Sequence, residues 1–308
     1  MKSPASLSEI QELVAKTKDG DRRTLARLLT QLERQGPRLV GESADLLTPA
    51  SSAFRVGITG PPGAGKSTLI SRLISHWRAL SLKVAVLAVD PSSPFTQGAI
   101  LGDRIRYSEH ALDESVFIRS LGSRGSLGGL SASAWLMVRA FDAAGFDIVL
   151  LETVGVGQTE LEIMNVADHV AVILTPESGD GIQGMKAGLM EIADTFAVNK
   201  SDRPGAGAFA REIEAALELD PRSMTTNPPR VFKISALDGS GLQEFGGHID
   251  AARADSGKWR GARSNPKRLQ AEARALMMVE AEREVLNRSS QIQTPESLGS
   301  LFRTFSLS

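Results

Sequence analysis

The chain has 308 residues, no cysteine, a formal net charge of -1 and a hydrophobic fraction of 42%. Absence of cysteine excludes disulfide staples, a cysteine nucleophile and thiolate metal sites. The near-neutral charge lacks the basic field of a nucleic-acid binder. No run approaches the ~18 apolar residues of a membrane helix. No basic stretch followed by an apolar one opens the chain, so a protein of the cytoplasm is expected, with neither nucleic acid nor membrane as partner.

Residues 7–35 are helix-like, with Leu13, Leu25, Leu28, Leu29 and Leu32 forming an apolar stripe at helical spacing. Gly36-Pro37 and Gly41 interrupt it, and Thr48-Pro49-Ala50-Ser51-Ser52 reads as a linker. Strand signals follow at 54–59, 83–89, 146–151, 169–174, 195–198 and 231–234, with a weaker one at 117–120. Helical patterns between them begin near Lys66, Leu130, Gln183 and Ala206. This alternation predicts an α/β fold, a mostly parallel central sheet flanked by helices. Binding residues of such sheets gather at the carboxyl ends of the strands.

Beyond Gly246 the character changes, and residues 264–290, rich in Arg, Glu, Ala and Leu, predict one long helix. It either packs against the domain or serves as a dimerisation arm. Three segments are expected: a helical extension over 1–50, a nucleotide-binding domain over 51–246 and a second helical extension over 247–308.

Gly60-Pro61-Pro62-Gly63-Ala64-Gly65-Lys66-Ser67, with Thr68 next, fits the phosphate-loop pattern G-x-x-x-x-G-K-[ST] in full. It lies between a strand and a helix, the context that gives the pattern meaning. Glycines let the backbone turn its N–H groups inward around phosphates, and the helix start adds its positive end. Lys66 is expected on the β- and γ-phosphates and the Ser67 hydroxyl on Mg²⁺.

Asn199-Lys200-Ser201-Asp202 follows the strand at 195–198 and matches N-K-x-D. An Asp202 carboxylate can accept both the ring N–H and the exocyclic amine of guanine, a donor pair that adenine lacks. Sites built on paired hydrogen bonds reject the wrong base strongly. Ser235-Ala236-Leu237, after the next strand, could present a backbone N–H to the guanine carbonyl. GTP, with GDP as product, is therefore the expected ligand.

Asp90 and Glu152 end two strands and suit a hydrated Mg²⁺, or else cap those strands. In Glu152-Thr153-Val154-Gly155-Val156-Gly157-Gln158, the Gly155 N–H could meet the γ-phosphate. Gln158 could orient the attacking water or be a plain loop residue. The four histidines, His76, His110, His169 and His248, have no metal-ligand spacing and read as packing or surface residues. Trp77, Trp135 and Trp259 read as packing.

Taken together these segments resemble the MeaB/ArgK-type P-loop GTPases, chaperones of adenosylcobalamin-dependent acyl-CoA mutases. The resemblance is carried by Gly57-Ile58-Thr59-Gly60 with the phosphate loop, Val89-Asp90-Pro91-Ser92-Ser93-Pro94-Phe95 and Ile100-Leu101-Gly102-Asp103-Arg104. Arg124-Gly125-Ser126-Leu127-Gly128-Gly129-Leu130 and the segments at 152–158 and 199–202 complete it. It spans about residues 54–242 and implies a homodimer with a dimerising C-terminal extension. It implies Asp90, Asp103 and Glu152 around Mg²⁺, with Asp103 in a first switch. A third switch is implied over 179–186, with Lys186 in a catalytic or relaying role. The implied activity is slow GTP hydrolysis raised by the partner mutase, methylmalonyl-CoA mutase foremost, and the implied role is to gate cofactor loading and protect that enzyme.

Two departures from the family pattern stand out: Gln97 where a second glycine is expected, and Glu177-Ser178 at the opening of the third switch. They bear on partner communication more than on the phosphate or guanine contacts. A kinase linked to amino-acid transport is a competing assignment, opposed by the guanine-selecting motif. A metal-insertion GTPase is another, opposed by the missing cysteines and scattered histidines. A nucleotide-sensing scaffold without useful turnover is a third.

Overall fold

The computed structural model describes residues 7–18, 20–35, 53–90, 107–122, 132–153, 165–177, 188–219, 222, 228–255 and 266–289. Apolar runs bounded by turn residues become strands β1 (Phe54–Thr59), β2 (Val84–Asp90), β3 (Val116–Gly122), β4 (Ile148–Thr153), β5 (His169–Leu174), β6 (Thr195–Val198) and β7 (Arg230–Lys233). They join in one sheet of order β3-β2-β4-β1-β5-β6-β7, and every neighbouring pair is parallel. The connection after β1 leads to β2 on one side, whereas β5 leads to β6 on the other. The strand order therefore reverses between β1 and β5, and the carboxyl end of such a switch point is where ligands of these sheets bind.

Alternate side chains of each buried strand feed two cores, as a parallel sheet covered on both faces requires. Val84 and Val86 of β2, with Ile148 and Leu150 of β4, face helices α3 (Lys66–Ala79) and α7 (Leu242–Ala254). Ala85, Leu87 and Val89, with Val149 and Leu151, face the opposite layer. That layer contains α1 (Leu7–Lys18), α2 (Arg22–Gln35), α4 (Ala132–Ala143), the short α5 (Gly188–Ile192), α6 (Ala206–Glu218) and α8 (Pro266–Ser289).

The helix-like stretch at 7–35 is two helices. The five leucines of the predicted stripe, Leu13, Leu25, Leu28, Leu29 and Leu32, are all buried in the core of that layer, but Gly20 at positive φ breaks the run. Asp21 starts the second helix by accepting from the backbone N–H groups of Arg23 and Thr24 and from the Thr24 hydroxyl. The long C-terminal helix is present as α8, and Arg139 of α4 holds Glu272 of α8 in a forked ion pair. Helix α7 runs across position 246, where the sequence changes character, and belongs structurally to α3. His76 and Trp77 of α3 both bond to Asp250 of α7, at 2.7 and 2.9 Å.

Beneath the sheet layer, Arg55 of β1 forms a buried ion pair with Asp142 of α4 at 2.5 Å. The Arg55 backbone N–H also donates to Asp168 at 2.8 Å. Burial pushes the Asp168 carboxyl up to about 7.

Candidate functional site: a phosphate loop cross-braced to two base loops

The loop from Gly60 to Gly65 joins the central strand to α3. Gly60 sits at φ 135°, and a Cβ there would fall 2.1 Å from the carbonyl oxygen of Ile173 on β5. Gly65 sits at φ 84°, and a Cβ there would fall 2.4 Å from Nδ2 of Asn199. Both glycines are required by close approach as well as by backbone conformation. Lys66, buried at the first position of α3, folds its ammonium back to the carbonyl oxygens of Gly60 (2.6 Å) and Pro61 (3.0 Å).

One residue on, the Ser67 hydroxyl donates to Glu152 Oε1 at 2.8 Å. Glu152 stands at the end of β4, between β1 and β2, and is 1% exposed. Its other oxygen accepts from the hydroxyl of Tyr107 at 2.5 Å. A buried carboxylate held by two hydroxyls, beside a serine oxygen, is a hard oxygen donor set of the kind Mg²⁺ prefers. Asp90 closes β2 beside it, and nothing further is described of its side chain. Among the described residues no group of three acidic, histidine or cysteine side chains converges. Asp103, Gly155, Gln158 and Lys186 lie outside the described residues, as do Gln97 and Trp259.

The two expected base loops meet the phosphate loop through one side chain. Asn199 is buried at the end of β6; its Nδ2 donates to the Ala64 carbonyl at 2.8 Å and its Oδ1 accepts from the Ala236 N–H at 3.0 Å. Gly60 to Thr68, Asn199 to Asp202 and Ser235 to Leu237 are thereby brought together from three separate strand ends. Lys200 takes positive φ (58°) to make the turn, and Asp202 is exposed on it. Leu237, 78% exposed, lies at the rim. Sequence patterns did not point to Arg72, which donates from α3 to the carbonyls of Ala236 (3.1 Å) and Leu237 (2.9 Å). Nor did they point to Tyr107, the single tyrosine of the chain, four residues beyond Asp103.

Glu177, the departure at the opening of the third-switch segment, finds a partner in Arg203, directly after the Asn199–Asp202 turn. That hydrogen bond holds the Glu177 carboxyl down at about 2. The histidines pack: His110 bonds to Ser71, His169 to Thr195, and His248 lies against Phe232.

A parallel sheet, a phosphate loop on its central strand and base loops on the two outer strands define a P-loop nucleoside triphosphatase. The family model described as methylmalonyl-CoA mutase-associated GTPase MeaB matches residues 25–293. The chain belongs to this family and is a P-loop GTPase. It is 41% identical to the GTPase ArgK of Escherichia coli over 243 residues, 77% of this chain and 73% of that one. It is 39% identical to the mouse mitochondrial methylmalonic aciduria type A homolog over 195 residues, 62% of this chain and 47% of that one. Among solved structures, the crystal structure of a LAO/AO transport system kinase superposes with a TM-score of 0.68. That likeness carries 28% identity and covers 99% of this chain and 100% of that one.

Proposed function

We propose that this GTPase acts as a chaperone of an adenosylcobalamin-dependent acyl-CoA mutase, methylmalonyl-CoA mutase foremost, gating cofactor loading and protecting that enzyme. The observation that carries the nucleotide part is the junction at Asn199, which fastens the phosphate loop to both base loops as one rigid cradle. The family description and the name of the mouse relative support the client.

In this reading the loop N–H groups and Lys66 take the phosphates. Lys66 exchanges its two carbonyl partners for phosphate oxygens, so its charge is spent on the nucleotide only when nucleotide arrives. Asp202 reads the guanine edge, and the Ser235-Ala236-Leu237 loop, steadied by Arg72, offers its backbone to the guanine carbonyl. Ser67 and Glu152, with Asp90 and Asp103, would hold Mg²⁺, which when bound would neutralise charge on the phosphates. The residues' own contribution is positioning and electrostatic stabilisation. Water is oriented by Gln158 or Asp90, or by a group from the partner, and Lys186 relays nucleotide state to the client. The homodimer uses the C-terminal extension, and the setting is the cytoplasm.

The test is hydrolysis of γ-labelled GTP with and without a methylmalonyl-CoA mutase from the same source. Release of the label as inorganic phosphate at a rate raised by the mutase, and lost in Lys66→Ala, is expected. Label transferred to an amine or protein acceptor would favour a kinase instead. A rate indifferent to every acyl-CoA mutase tried would refute the client.

A further inference from the structure

The hydroxyl of Tyr107 donates to Glu152 Oε2 at 2.5 Å, while Ser67 occupies Oε1 at 2.8 Å. Tyr107 is fully buried and follows directly on residues 91–106. Its place is fixed independently of Glu152. The Tyr107 carbonyl accepts from the His110 N–H at 3.0 Å, starting a single turn of 3-10 helix, Ser108–His110. The His110 ring Nε2 lies 2.9 Å from the Ser71 hydroxyl and 3.0 Å from the Ser71 carbonyl oxygen, and Glu109 accepts from the same hydroxyl. Ser71 stands four residues after Ser67, on the same side of α3. The turn is therefore clamped to the helix that carries the Ser67 hydroxyl, and Tyr107 reaches from it to the carboxylate.

We propose that Tyr107 is a positioning residue for the metal: it fixes the rotation of the Glu152 carboxylate through Oε2, so that Oε1 and Ser67 face the nucleotide together. This rests on Glu152 and Ser67 ordering Mg²⁺. A carboxylate offers about four acceptor positions, so the two hydroxyls leave capacity for the metal or its waters. When the serine oxygen turns to the ion, Tyr107 remains as the anchor.

The experiment follows release of mant-GDP from the full chain as free Mg²⁺ is varied. Tyr107→Phe keeps the ring and removes the donor. The free Mg²⁺ needed for half-maximal retention should rise about tenfold or more, the usual cost of losing a partner that orients a metal ligand. Release in EDTA should match that of the native chain. With [13Cζ]tyrosine the native chain gives one Tyr resonance, since it has one tyrosine. That resonance should shift when Mg²⁺ is added to the GDP complex. An unchanged Mg²⁺ midpoint, a static resonance, or an equal loss of retention with and without metal would each overturn the positioning role. Retention by the native chain that ignores Mg²⁺ would instead remove the metal assignment beneath it.

Discussion

Replacing Asn199 by alanine removes one side chain and strands two buried backbone groups, the Ala64 carbonyl and the Ala236 N–H. Asn199 is 2% exposed, so water has poor access to either. Each buried group without a partner costs about 1–3 kcal/mol. Relaxation of the two loops recovers part of that, leaving a loss of roughly 2–4 kcal/mol. At about 2–4 °C per kcal/mol for a domain of this size, the melting temperature should fall by roughly 5–15 °C. Because one bond sits on the phosphate loop and the other on the Ser235–Leu237 loop, nucleotide affinity should fall too. A loss of at least about tenfold corresponds to only 1.4 kcal/mol of the total. Asn199→Asp keeps the acceptor for Ala236 but sets a carboxylate oxygen against the Ala64 carbonyl. It should therefore damage GDP binding as much as alanine does while leaving the Ala236 contact in place. Calorimetric unfolding and mant-GDP titration read both quantities. An alanine variant that melts within about 2 °C of the native chain and binds GDP normally would refute the bracing role.

Asp168 offers a test in pH. Its folded-state value of about 7 lies above the ordinary 3.8, so the stability it contributes is present below about pH 4 and is lost as pH rises to about 7. Asp168→Asn keeps an acceptor for the Arg55 N–H and stays neutral. It should be more stable than the native chain at pH 8 by on the order of 2–4 kcal/mol. The difference should vanish near pH 4, and urea midpoints across that range check it; equal midpoints at pH 8 would dispose of the idea. Arg72→Ala frees the carbonyls of Ala236 and Leu237. Since Arg72 is exposed on α3, the effect on melting should be small. The preference for mant-GDP over mant-ADP should narrow about fivefold, roughly 1 kcal/mol of lost positioning.

What could be read in advance was whatever is contiguous in sequence. The phosphate loop, the Asn199–Asp202 turn and strands such as β1 and β5 carry their pattern within a few residues. Strand β3 was expected only over 117–120 because it lies at the sheet edge, where Ile118, Arg119 and Ser120 are half-buried and the apolar signal is diluted. Helix α7 escaped because Gly246 and Gly247 interrupt its sequence. Gly246 serves packing there: a Cβ would fall 3.0 Å from the His76 ring, so the glycine lets α7 approach α3. The braces of the site were the least legible. Asn199 finds its partners 135 and 37 residues away, and Arg72 finds its own 164 and 165 away. No local period encodes such pairings.

These long-range bonds share one origin. Helix α3 presents Lys66 and Ser67 at its start, Ser71 and Arg72 one turn later, and His76 and Trp77 one turn beyond. Each level reaches a different segment: the phosphate loop and Glu152, then the Tyr107–His110 turn and the Ser235–Leu237 loop, then α7. The helix is packed against the sheet through Leu69, Ile70, Leu73, Ile74 and Trp77, each at most 1% exposed, and such packing resists sliding. A phosphate-driven change at Lys66 and Ser67 therefore has little freedom to dissipate by moving the helix. The contacts it would meet first are the short polar bonds at the helix surface, from Ser67 to Glu152 and from Glu152 to Tyr107. The proposed signalling role would need such a stiff element with soft contacts on several sides. Helix α3, anchored by its apolar face and bonded at three levels, has that build.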